Sequence, residues 1–107
     1  MWRVFARTKG VEGNVGEQRI REVVAKCAAK NFVRRSEADI KDSDDFIYDL
    51  GGDSLDVVEF FMLVENVFEV RIPGETEAKM HKVGDVVDFL VKMNAEKPLA
   101  IDKSHLD

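Results

Sequence analysis

The sequence predicts an all-α fold: a small four-helix bundle with a long loop between helices one and two and a short third helix. Three observations predict it. Apolar residues recur at helical spacing in three stretches, 17–32, 54–69 and 83–93. No stretch of any length alternates apolar and polar residues as a half-buried strand does. The 107 residues, 45% hydrophobic and 35% charged, have the composition of one globular domain with a modest core.

Composition also excludes several functions. The formal charge of −5 argues against nucleic-acid binding, which needs a basic face. It favours partners with basic patches. No apolar run approaches the ~20 residues that span a bilayer. Cys27 is the only cysteine, so no internal disulfide can form. His81 and His105 are isolated and give no metal-ligand spacing with Cys27.

Residues 1–16 form an N-terminal extension. Arg3, Arg7 and Lys9 lie in its first eleven residues with no acid among them, and Gly10, Gly13 and Gly16 disfavour a helix. The Arg-rich, acid-poor start fits a remnant of an organelle-targeting segment or an ordinary N-terminus.

Helix one covers 17–32. Ile20, Val23, Val24, Cys27 and Ala28 make its apolar stripe, and Phe32 extends it. Cys27 thus reads as a buried core thiol. A long connection, 33–53, follows, anchored by Ile40, Phe46, Ile47 and Leu50. Its Asp density invites comparison with a calcium loop. Counted from Asp42, the required Gly and Glu positions hold Ile47 and Asp53, so that loop type is rejected.

Helix two covers 54–69. Asp53 or Ser54 can cap it, and Asp56 lies in the first turn, where the helix dipole favours negative charge. Pro73 and Gly74 follow its end. A short helix three is expected over 75–81. Helix four covers 83–93, with Val83, Val86, Val87 and Leu90 on one stripe. The tail, 94–107, contains Pro98 and is mostly polar; it is expected to extend beyond the core.

Helix two carries two apolar stripes. Val57, Phe60, Phe61, Val64 and Phe68 form the larger one, the expected core face. Leu55, Val58, Met62 and the stem of Glu65 form another, with Asp56 and Glu59 beside it. Such a helix is either fully buried or exposes an apolar patch rimmed by acid. The interleaved carboxylates favour the second, a surface for a basic partner with an apolar groove. Ser54 stands at the start of that face. A nucleophilic serine needs a base and a group that orients the base, and neither histidine lies in such a motif. Hydrolase activity is not expected.

With its turn and helix, the segment "DLGGDSLD" (Asp49–Asp56), followed by "VVEFFMLVENVFEVRIP", resembles the acyl carrier protein family. Asp49, Leu50, Gly51, Asp53, Ser54, Leu55 and Asp56 match its Leu-Gly turn and Asp-Ser-Leu start. Val58, Glu59, Met62, Glu65, Phe68, Ile72 and Pro73 match downstream, and Phe46 matches the anchor before the turn. The likeness covers about 17–93, the expected carrier domain. Gly52, Asn66 and Gly74 depart from the usual pattern.

The resemblance implies a fold of acyl-carrier type and no catalysis by the chain itself. It implies that Ser54 receives 4′-phosphopantetheine from coenzyme A through a phosphopantetheinyl transferase, and that the group then carries acyl chains as thioesters. It implies partner docking through Asp53, Leu55, Asp56, Val58, Glu59, Met62 and Glu65. It implies an acyl-chain pocket lined by Phe46, Val64, Ile72, Met80, Val86 and Phe89, residues that also read as ordinary core. The pattern looks most like the mitochondrial type. That branch implies type II fatty acid and lipoate-precursor synthesis in the matrix. It also implies an acylated subunit that binds LYR-motif proteins in respiratory complex I, iron–sulfur assembly or mitoribosome assembly. A bacterial or plastid carrier and a peptidyl or polyketide carrier domain are the alternatives.

Overall fold

The computed structural model describes residues 11–13, 15–32 and 35–106. Among these described residues are four helices, as expected: α1 (Glu17–Asn31), α2 (Ser54–Phe68), α3 (Gly74–Glu77) and α4 (Val83–Glu96). Two short strands, β1 (Val11–Glu12) and β2 (Ile101–Asp102), pair antiparallel with Val11 opposite Asp102. Turns of 3₁₀ helix cover Glu37–Asp39 and Lys103–Leu106.

Periodicity placed the core well. Ile20, Val23, Val24, Cys27 and Ala28 of α1 are fully buried. So are Phe60, Val64 and Phe68 of α2 and Val86, Val87 and Leu90 of α4. Val57 is only half-buried, and Val67, outside the expected stripe, is fully buried. Burial pushes the Cys27 thiol up to about 12, so at neutral pH it stays protonated and unreactive.

Packing fixes the helix directions. Phe32, just after α1, lies against Gly52, just before α2. Gly84, in the first turn of α4, lies against Asp42 of the long loop. Asn94, near the end of α4, donates from Nδ2 to the Val15 carbonyl before α1 at 3.0 Å. Thus α1 runs antiparallel to α2 and α4, and Ser54 stands at the end where α1 finishes.

The long loop is held by its own carboxylates. Asp44, 4% exposed, accepts from Lys41 N at 2.8 Å and from Arg35 Nη1 at 3.2 Å. Its carbonyl accepts from Val83 N at 3.0 Å, and Phe46 N donates to the His81 carbonyl at 3.1 Å. Asp45 Oδ1 accepts from Ile47 N and Tyr48 N, at 2.8 and 3.0 Å. Those bonds, Tyr48 first, hold the Asp45 carboxyl below the usual range. The turn they close sends Phe46 inward and Ile47 outward. Ile47 was expected to anchor the loop; it is 52% exposed.

Two further expectations need correction. Helix three is shorter than 75–81. It starts at Gly74 behind Pro73 and ends at Glu77, after which tight turns carry the chain to the buried Met80. The tail does not leave the core. Helix α4 continues to Glu96, and Leu99 and Ile101 are 8% and 0% exposed. Asn94 Oδ1 accepts from Leu99 N at 2.8 Å, which folds the tail back after α4.

Candidate functional site

The approach to α2 is built to be tight. Gly51 has φ 71°, a left-handed conformation that glycine adopts without strain. A methyl group on Gly52 would lie 2.3 Å and 2.6 Å from two carbons of the Phe32 ring. The departure from the family pattern at Gly52 thus has a physical reason: the Phe32 ring fills the space a side chain would need. Gly52 N also donates to the Phe46 carbonyl at 2.9 Å. Beneath the turn lie four phenylalanines. Phe46 stacks on Phe32 with centroids 5.5 Å apart, and meets Phe60 at 5.0 Å and Phe61 at 5.9 Å.

The structure decides which residue caps α2. Asp53 is the N-cap: its Oδ1 accepts from Asp56 N at 2.9 Å, and Asp56 Oδ2 accepts from Asp53 N at 3.0 Å. This reciprocal box satisfies two amides at the helix start. Ser54 is the first helical residue, is exposed, and its hydroxyl bonds to none of the described residues.

The second apolar stripe is on the surface. Leu55, Val58 and Met62 are 62%, 50% and 56% exposed and share one face of α2 by their spacing. Glu59 is exposed beside them, and α2 holds no Lys or Arg. In the turn before α2, Ile47 and Tyr48 add exposed apolar surface that sequence reading did not assign. The expected docking acids divide. One oxygen each of Asp53 and Asp56 serves the cap. Glu65, half-buried, turns Oε2 to Ile72 N at 2.7 Å and so fastens the loop after α2. Burial, and then the Glu65 charge, raise the Glu77 carboxyl.

Of the expected pocket residues, Phe46, Val64, Ile72, Met80 and Val86 are buried in one cluster, and Phe89 packs half-buried against it. These six therefore belong to one apolar body with α2.

The surroundings of Ser54 fit a phosphodiester-linked group. The hydroxyl is accessible, and the start of a helix favours negative charge. The family model for the phosphopantetheine attachment site matches residues 18–90, well over half of the chain. The chain belongs to that family. It is a carrier domain, not a catalyst, and its family bears 4′-phosphopantetheine covalently on a serine. Carrier domains of this kind meet phosphopantetheinyl transferases and acyl-handling enzymes.

Proposed function

We propose that this carrier bears its phosphopantetheine on Ser54 and holds acyl chains there for type II fatty acid and lipoate-precursor synthesis. One observation carries the reading: Asp53 does the capping, so the Ser54 hydroxyl is exposed at the head of α2 and bonds to none of the described residues. When bound, the group supplies a thiol on which acyl chains ride as thioesters. The chain's own residues present the serine and offer a face to partners. Ser36 is the contrasting case, since its hydroxyl donates to Asp39 at 2.9 Å.

The test is direct. Apo protein incubated with coenzyme A and a phosphopantetheinyl transferase is expected to gain one phosphopantetheine by intact mass. Ser54→Ala is expected to gain none. An adduct on the Ser54→Ala protein, or none on the wild type, refutes the assignment.

Asp53, Leu55, Asp56, Val58, Glu59, Met62 and, in part, Glu65 form the proposed docking face. Phe46, Val64, Ile72, Met80, Val86 and Phe89 form the proposed shelter for the acyl chain. The exposed apolar face rimmed by acid supports a basic helical partner, and so a second role as an acylated subunit bound to LYR-motif proteins. The Arg-bearing, acid-free start of the sequence supports placing that role in mitochondria. Asp56→Lys with Glu59→Lys is expected to release such a partner in co-purification, and its retention counts against the subunit role.

A further inference from the structure

The segment after α4 closes one end of the bundle. Ile101 is fully buried, Leu99 nearly so, and Leu106 is half-buried against the core. The segment packs on both α1 and α2. It is fastened at several points. The β2 strand pairs with β1, so Ile101 stands opposite Glu12. Asn94 bonds at once to the Val15 carbonyl and to Leu99 N. Glu12 accepts from Arg19 Nε and Nη2 at 2.8 and 2.6 Å and pairs with Lys103 at 3.3 Å.

The position of this strap matters more than its strength. Because β2 pairs just ahead of α1, the strap lies where α1 begins and where α2 and α4 finish. Ser54 is at the opposite end of α2. The 15 residues of α2 set the length of the apolar body between them, about 22 Å. An acyl chain entering from the Ser54 end and lying along α2 runs toward Ile101.

We propose that Ile101 is the floor of the acyl shelter and sets the longest chain this carrier holds inside itself. The proposal rests on the reading that the chain is sheltered in the core. Methylenes that stop short of Ile101 are buried without disturbing the strap. A longer chain must displace a fully buried side chain or unpair β1 from β2, so added carbons no longer stabilise the protein. Shortening the Ile101 side chain deepens the shelter.

The experiment loads the full chain with saturated acyl groups from hexanoyl to hexadecanoyl, using acyl-coenzyme A and a phosphopantetheinyl transferase. The melting temperature of each form is measured against the unacylated, phosphopantetheine-bearing form of the same variant. Wild type is expected to gain stability with length up to a limit and then to level off or fall. Ile101→Ala, which removes three side-chain carbons, is expected to move that limit by about two to three carbons, and the milder Ile101→Val by about one. Lys30→Ala, on the exposed side of α1, is expected to leave it in place. A flat wild-type series overturns the sheltering and the floor with it. A rising series whose limit is the same in wild type, Ile101→Ala and Ile101→Val overturns the floor alone. Should Ile101→Ala fail to fold, Ile101→Val decides.

Discussion

Substituting Gly52 by alanine tests the packing that delivers Ser54 to the surface. The added methyl would sit 2.3 Å and 2.6 Å from two Phe32 ring carbons, and 3.2 Å from the Phe46 carbonyl. The ring cannot swing away cheaply. It is 1% exposed, stacked on Phe46 at 12°, and 5.6 Å from Phe60. Overpacking of this kind costs about 1–3 kcal/mol. Gly52 is not at positive φ, so alanine also gains about 0.4–1 kcal/mol by restricting the unfolded chain. The net loss expected is about 1–2 kcal/mol, or roughly 5–10 °C in melting temperature for a domain of this size. Urea denaturation followed by far-ultraviolet circular dichroism measures it. The same substitution made in a Phe32→Leu background should cost much less, giving a coupling of about 1 kcal/mol or more. An equal cost in both backgrounds, or a net stabilisation by Gly52→Ala alone, refutes the account of Gly52 as the partner of the Phe32 ring.

Other outcomes follow from the structure. Asp53→Ala removes the α2 cap and should cost about 1 kcal/mol in urea denaturation, whereas Ser54→Ala should stay within about 0.5 kcal/mol of wild type. Glu69 ends α2 in the left-handed region at φ 55°, so Glu69→Gly should stabilise by roughly 0.5–1 kcal/mol, seen as a higher denaturation midpoint. The raised Glu77 carboxyl disfavours its own ionisation in the fold, so its contribution is best below the unfolded pKa and worsens as pH rises through the folded one. Glu77→Gln should therefore raise the melting temperature at neutral pH, with the gain shrinking in mildly acidic buffer. Arg19, the largest cause, lowers the Glu12 carboxyl, so its pairing stabilises above the unfolded pKa and is lost as pH falls through the folded one; Glu12→Gln should cost stability at neutral pH and little in acid.

The legible parts of the fold were those written locally. Ile20, Val23, Val24 and Cys27 repeat at helical spacing, and α1 follows from them; the same holds for Val83, Val86, Val87 and Leu90 in α4. The strap was not legible because its cause is distant. Leu99 and Ile101 sit among Pro98, Lys103 and Ser104, and the strand that pairs with Ile101 lies at the other end of the chain. Phe46 and Ile47 show the limit at single-residue scale. Both are large and apolar, and only the turn closed by Asp45 decides that one enters the core and the other faces water. Gly52 is similar: its meaning lies in a ring contributed by Phe32, which no local pattern signals.

At the start of α2 the site and the fold are kept apart. A serine before a helix ordinarily earns its place by capping. Here Asp53 and Asp56 close the cap between themselves, and the turn behind them is set by Gly51 and by the aromatic cluster under Gly52. Among the described residues, no bond that holds α2 in place passes through the Ser54 hydroxyl. The acids that flank it therefore have two duties on different atoms. One oxygen of each fixes the backbone, and the carboxylate's charge remains beside the exposed Leu55, Val58 and Met62. A group attached at Ser54, as proposed, would meet a capped helix end and an acidic, apolar face beside it. On the proposed reading, partners that meet that face also locate the attached group, and attaching the group breaks neither bond of the cap.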